Sequence, residues 1–262
     1  MTNSKIHHCL TLFFKIASIL SFGRPHVIAF APKLMSRIVS RIQMQQQQYS
    51  THKSFAEIAK LYDGFILDQF GVLHNGKDPL DGALECMSTL VESMGKKCII
   101  LSNTSSPSKT ALEKLTTKIG FDKTHFMGAV TSGEEASKYI AKTFGQHDNP
   151  KKCIWFTWNS SNDSSASFLE QCGNIQPVRK EEDADFIIAH GCNVQRSANE
   201  EDISLFPFMQ TGDLSGKIET TLLKCRERDL PMVCANPDFI VQMSDGTVGH
   251  MPGKSESKEN NF

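Results

Sequence analysis

Asp68 follows the apolar run Phe65-Ile66-Leu67 and precedes Gln69-Phe70-Gly71, where the chain has to turn. One structural unit later, Ser102-Asn103 closes a second apolar run, Cys98 to Leu101. In an open parallel sheet, ligands bind beyond the carboxyl ends of the strands, so these three residues would share one crevice. A carboxylate there can act as a nucleophile or hold a hard cation such as Mg²⁺. The hydroxyl and the amide, helped by backbone amides at a helix start near Ser106, would donate hydrogen bonds to phosphoryl oxygens. A strand-end acid that merely caps a turn accounts for Asp68 taken alone equally well. The pairing with Ser102-Asn103 favours chemistry.

The elements that must position these residues form an alternating α/β pattern. Phe55 to Tyr62 has helical spacing, Phe65 to Asp68 reads as a strand, Ala83 to Met94 as a helix closed by Gly95, and Lys97 to Leu101 as a second strand. Ser106-Pro107 predicts a hydroxyl N-cap with Pro at the first helical position, and the helix runs to Ile119 before Gly120 stops it. Thr131 to Phe144 repeats the scheme, with Thr131-Ser132-Gly133-Glu134-Glu135 as its cap. Strands separated by helices imply a parallel sheet. Farther on, Lys151 to Thr157, Asp185 to His190 and Met232 to Ala235 are short β-rich runs between polar stretches, and Asn149-Pro150-Lys151-Lys152 suits a boundary between lobes. The expected organisation is a first lobe over 54–143, a second over 144–252 and a polar tail over 253–262. Trp155 and Trp158 on the first of the later runs suit either a core or an aromatic wall facing a substrate.

Composition narrows the function classes. The chain has 262 residues, a net charge of -1 and 28 basic against 29 acidic residues. That balance offers no concentrated positive surface for nucleic acid, and small substrates are the default expectation. Eight cysteines without a C-x-x-C pair signal neither a zinc ribbon nor a disulfide framework. Cys192, two residues after His190, reads as a small buried residue at a strand end. No acidic residue precedes Glu57, while basic residues and serines are frequent, so residues 1–53 have the composition of a transit peptide. Import into a mitochondrion or plastid is expected, with the cytoplasm as the alternative. The apolar stretch Leu10 to Phe22 is interrupted by Lys15 and too short to span a bilayer, so no membrane partner is expected.

Several blocks together carry a family resemblance. FILDQFGVLHNG, IILSNTSSPSKTALEKLTTKIGF, GAVTSGE, DADFIIAHG and LPMVCANPDFIV resemble the haloacid dehalogenase-like hydrolases, in particular their subclass IIA of NagD-like and nitrophenylphosphatase-like proteins. The resemblance runs from about Phe55 to Lys254. It implies a Rossmann-like core of parallel sheet and flanking helices with an inserted α/β cap. The implied activity is Mg²⁺-dependent hydrolysis of phosphomonoesters of small metabolites through an aspartyl-phosphate, with a homodimer by analogy. On this mapping Asp68 is the nucleophile and a metal ligand, the backbone carbonyl of Phe70 is a second metal ligand, and Ser102 with Asn103 binds the phosphoryl group. Asn236 and Asp238 match a cap-side segment that faces the substrate.

Two departures from that pattern matter. The position two residues after the nucleophile, usually an acid that protonates the leaving oxygen, is Phe70, and His74 is the nearest donor in sequence. The Lys and the G-D-x-x-x-x-D cluster expected farther along are not found before the chain closes on GHMPGKSESKENNF. The expectation is therefore a phosphatase impaired by a missing C-terminal part of the core, with an underbuilt Mg²⁺ site. A non-catalytic binding or regulatory remnant of such a hydrolase is the alternative.

Overall fold

A computed structural model describes residues 54–159, 164–213, 216–243 and 246–254. The acid-free leader and the last eight residues of the polar tail lie outside the described residues. Among the described residues no helix is long and apolar enough to cross a membrane.

The first lobe opens with a short helix α1 (Phe55–Ala59) and strand β1 (Gly64–Leu67). Helix α2 (Ala83–Ser88) continues as a π-helical turn over Thr89–Ser93 and leads to β2 (Lys97–Ser102). Helix α3 (Ser108–Lys114) likewise continues over Leu115–Ile119 before β3 (Ala129–Thr131). The strands pair in parallel in the order β1-β2-β3, with Leu67 opposite Ile100 and Ser102 opposite Thr131. This parallel order follows from the helical crossovers, and it aligns the strand ends at which Asp68, just after β1, and Ser102, the last residue of β2, stand. Met87, Leu90, Ile100, Leu115 and Ile119 are fully or nearly fully buried in the core between these helices and the sheet.

Helix α4 (Ser132–Thr143) leads to the second sheet. There β4 (Lys151–Thr157), β6 (Phe186–Ala189) and β9 (Met232–Cys234) are parallel neighbours. β5 (Ile175–Pro177) pairs with the start of β4, while β7 (Val194–Arg196) and β8 (Ile203–Ser204) add antiparallel strands on the same side. Ile154 and Phe156 of β4 pack on one face with Ile187, Ala189, Leu222 and Met232. Cys153 and Trp155 pack on the other with Ala136 and Ile140 of α4, Phe168, Phe186 and Ile188. A parallel sheet covered on both faces needs near-continuous apolar strands, which is why these runs carry no polar alternation. Trp155 belongs wholly to this core. A hairpin of β10 (Ile240–Gln242) and β11 (Val248–His250) completes the described chain.

The helix starts differ in one instructive way. Thr131 caps α4 as its sequence predicts, its hydroxyl accepting from the Glu134 N–H at 3.3 Å. Ser106 does not cap α3. Pro107 is itself the capping residue with ψ 150°, and the Ser108 N–H is taken at 2.9 Å by the Glu134 carboxylate, reaching across from α4. The Lys138 ammonium, 2.8 Å away, and the Ser108 hydrogen bond hold the Glu134 carboxyl down at about 2.

Candidate active site

Beyond the carboxyl ends of β1 and β2 lies a cavity of about 420 Å³ whose lining includes Asp68, Ser102, Asn103, Asn236 and Asp238. The five side chains singled out in the sequence therefore meet in one place, although the first three leave the first sheet and the last two leave β9 of the second. Phe70 lines the same cavity.

Asp68 is exposed toward this space. The protein packed around its carboxyl raises its pKa above the ordinary aspartate value, against a lowering by the Gln69 N–H that reaches Oδ1 at 2.7 Å. That contact engages one carboxylate oxygen and leaves Oδ2 without a hydrogen bond among the described residues. Gln69 itself is buried, and its Nε2 donates to Ser102 Oγ at 2.7 Å. The Thr104 N–H donates to the same Oγ at 3.2 Å. A hydroxyl has two acceptor lone pairs and one proton. With both lone pairs of Ser102 engaged, its proton is the part left to donate.

Asn103 Nδ2 donates to Asp238 Oδ1 at 2.9 Å and so ties the two sheets together across the site. The Asp238 N–H in turn donates to the Asn236 side-chain oxygen at 3.0 Å. The Asp238 carboxyl is raised by burial first and also by the charge of Asp68, against the lowering from Asn103. Two carboxylates thus face one cavity, and the charge of Asp68 makes Asp238 harder to ionise. Sequence reasoning counted only Asp68 among the charged groups at a metal or proton site, because nothing in the local sequence shows that Asp238 would come within range of it.

His74 is not the exposed turn residue its Asn-Gly neighbours suggest. It is 2% exposed, its ring stands edge-on to Phe70 at 5.8 Å, and its Nδ1 accepts the Gly76 N–H at 2.8 Å. Gly76 has φ 100°, and a Cβ there would meet the Phe70 ring at 3.0 Å, so both conformation and space call for glycine. Burial first, then the field of Lys114, pushes the imidazole down to about 4. At neutral pH it is uncharged and cannot replace the missing acid as a protonated donor. Its Nε2 is buried without a partner.

The amides at the start of α3 are less available to a ligand than the sequence suggests. The Ser108 N–H serves Glu134, and the Ser106 N–H donates to Thr104 Oγ1 at 3.3 Å. Ile240 and Val241 of the hairpin and Met251 add apolar groups to the cavity lining. Trp158, the second candidate for an aromatic wall, instead donates its Nε1–H to Ser105 Oγ at 2.8 Å.

Residues 65–174 match the family model of haloacid dehalogenase-like hydrolases. Among solved structures, a haloacid dehalogenase-like hydrolase from Brucella suis 1330 superposes with a TM-score of 0.60 at 19% identity, covering 80% of this chain and 69% of that one. A protein of the same superfamily from Cytophaga hutchinsonii gives 0.56 at 17% identity, covering 80% and 67%. Among curated proteins, a NipSnap protein of Caenorhabditis elegans is 37% identical over 65 residues, which are 25% of this chain and 12% of that protein.

Proposed function

From the match of residues 65–174 to the haloacid dehalogenase-like hydrolase model and the similar α/β fold, we propose that this chain hydrolyses phosphomonoesters of small metabolites, with Asp68 as the phosphoryl acceptor. The observation that carries the reading is the engagement of both Ser102 lone pairs by Gln69 and Thr104, which turns the hydroxyl into a donor beside a carboxylate. An anion is what such a donor suits, and a nucleophile is what the carboxylate then supplies.

In this reading the Gln69 N–H holds Asp68 Oδ1, and Oδ2 attacks phosphorus. The Ser102 hydroxyl and the second N–H of the Asn103 amide hydrogen-bond the phosphoryl oxygens as charge builds on them. Phe70 has no proton to give, and His74 is neutral. Asp238 is the remaining acid in the cavity, with Oδ1 fixed by Asn103. It protonates the leaving oxygen as the ester bond breaks, then takes a proton from the water that cleaves the aspartyl-phosphate. This gives Asp238 a role different from direct phosphate binding, for which a second negative charge is unsuited; Asn236 holds its backbone in place.

Asp68 and the Phe70 carbonyl would offer two hard oxygen ligands to Mg²⁺, whose shell waters and substrate phosphate commonly complete, although no cluster of three or more His, Cys, Asp or Glu side chains that could hold a metal lies among the described residues. When bound, Mg²⁺ supplies positive charge between Asp68 and a phosphate dianion. The test is Mg²⁺-dependent release of phosphate from 4-nitrophenyl phosphate by the purified chain and by Asp68→Asn. Loss of at least ~10³-fold in the variant is expected of a nucleophile that acts with its neighbours as a unit; activity retained in Asp68→Asn would refute the assignment.

A further inference from the structure

One cationic side chain among those lining the cavity is left unused by this reading. Lys114 lies one turn along α3 from Thr110, and both line the cavity together with Ser106 of the loop before the helix. Four-residue spacing places Thr110 and Lys114 on one helix face. Lys114 has no ion-pair partner among the described residues, and the acid beside it in sequence, Glu113, is paired with Lys109 instead. Lys118, one turn further on, adds like charge. The surrounding protein lowers the ammonium's pKa even though the residue is exposed at the rim. Its field reaches the buried ring of His74, which lines the same cavity.

We propose that Lys114, flanked by Thr110, forms a second anion subsite in this cavity, and that the substrates are phosphomonoesters carrying a further acidic group, a carboxylate or another phosphate, at the end remote from the reacting ester. The inference rests on the phosphatase reading for what occupies the first subsite. The six steps of helix from Ser108 to Lys114 rise about 9 Å, so Lys114 would hold the second anion at a distance along α3 from the reacting one. Ile240, Val241 and Met251 would pack on the carbon skeleton between them. A partly desolvated cation without a counter-ion is costly, and an anionic substrate group removes that cost.

The test uses two non-hydrolysable probes, phenylphosphonate and 4-carboxyphenylphosphonate, whose affinities for the full chain are measured by calorimetry in the presence of Mg²⁺. The carboxylated probe is expected to bind ~10-fold more tightly or better, the order of one charge-assisted hydrogen bond. In Lys114→Met that ratio should collapse toward one, and in Lys114→Arg it should persist. Equal affinities for the two probes, or a ratio that survives in Lys114→Met, overturn the subsite. Failure of either probe to bind overturns it as well. Because binding is read without turnover, loss of the phosphatase reading would show separately, as absence of Asp68-dependent hydrolysis alongside an intact probe ratio.

Discussion

Replacing Asp238 with Asn isolates the proton-transfer role proposed for it. Asn has the same shape, and its side-chain oxygen can still accept the Asn103 Nδ2–H that now reaches Asp238 at 2.9 Å, so the link between the sheets survives. What is lost is the proton. General acid-base assistance is typically worth ~10²–10⁴-fold, or about 3–5 kcal/mol in the barrier. That assistance matters only when the leaving oxygen is a strong base. Steady-state kinetics on an alkyl phosphate and on 4-nitrophenyl phosphate should therefore diverge. The alkyl ester should lose ~10²-fold or more in kcat/KM, and the nitrophenyl ester, whose leaving group needs no proton, less than ~10-fold. The pH dependence has a definite sign. Burial and Asp68 raise the Asp238 carboxyl, so the acid form persists to higher pH than for an ordinary aspartate, and alkyl-phosphate hydrolysis should fall as pH rises through that elevated value. The same elevation means that the folded state binds the proton more tightly than the unfolded one. Ionised Asp238 therefore costs stability at neutral pH, and Asp238→Asn should melt at the same temperature as the parent or higher. Equal losses on the two esters, or none on the alkyl ester, would refute the assignment of Asp238 as the acid.

Two further outcomes concern the framework around the site. Glu134→Ala removes the carboxylate that caps α3 and should cost roughly 1–2 kcal/mol above pH 5, measured by urea unfolding; because the native carboxyl is held at about 2, the difference from the parent should shrink as pH falls from the ordinary glutamate value toward 2, the stability having been present only while Glu134 is ionised. Trp155→Ala opens a void in the second core, where Trp155 is 2% exposed, and should cost ~3–5 kcal/mol in the same assay, whereas Trp155→Phe should cost clearly less, since it also removes an indole N–H that has no partner.

The sequence makes much of the framework legible because strand runs and strand ends are local signals. Phe65-Ile66-Leu67 and Cys98 to Leu101 are apolar runs that send Phe65, Leu67, Cys98 and Ile100 into the first core, and the residues that follow them had to emerge at one edge. The convergence of Asp68, Ser102, Asn103, Asn236 and Asp238 on one cavity was accessible through the strand-end rule joined to a family resemblance. Other features depend on distant partners. Gln69 looks like a turn residue until its amide is found on Ser102. His74 sits in a turn-forming stretch, yet its ring is buried edge-on against Phe70. Pro107 lies outside the helix it precedes, so Ser106 loses its expected role to Glu134, whose carboxylate comes from another element. Thr110 and Lys114 did carry a signal, four-residue spacing of polar groups on α3; only the cavity reveals which face of that helix it marks.

Ser105, one residue into the loop after the Asn103-Thr104 pair, is a junction between the two lobes. Its hydroxyl accepts from Trp158, its carbonyl lies 3.3 Å from His190 Nε2, and its backbone passes so close to Gly133 that no side chain could be carried there. Ser132 adds a hydrogen bond to the Ala235 carbonyl at 2.6 Å. These contacts make the seam between the sheets part of each lobe's own interior. Neither lobe can shed the other without stripping buried hydrogen-bonding groups of their partners, so the chain should behave as one cooperative folding unit with no partly folded state that keeps only one sheet. The cavity, built along that seam from residues of both sides, then exists only in the fully folded chain, and damage to either distant core is felt as loss of the whole site at once.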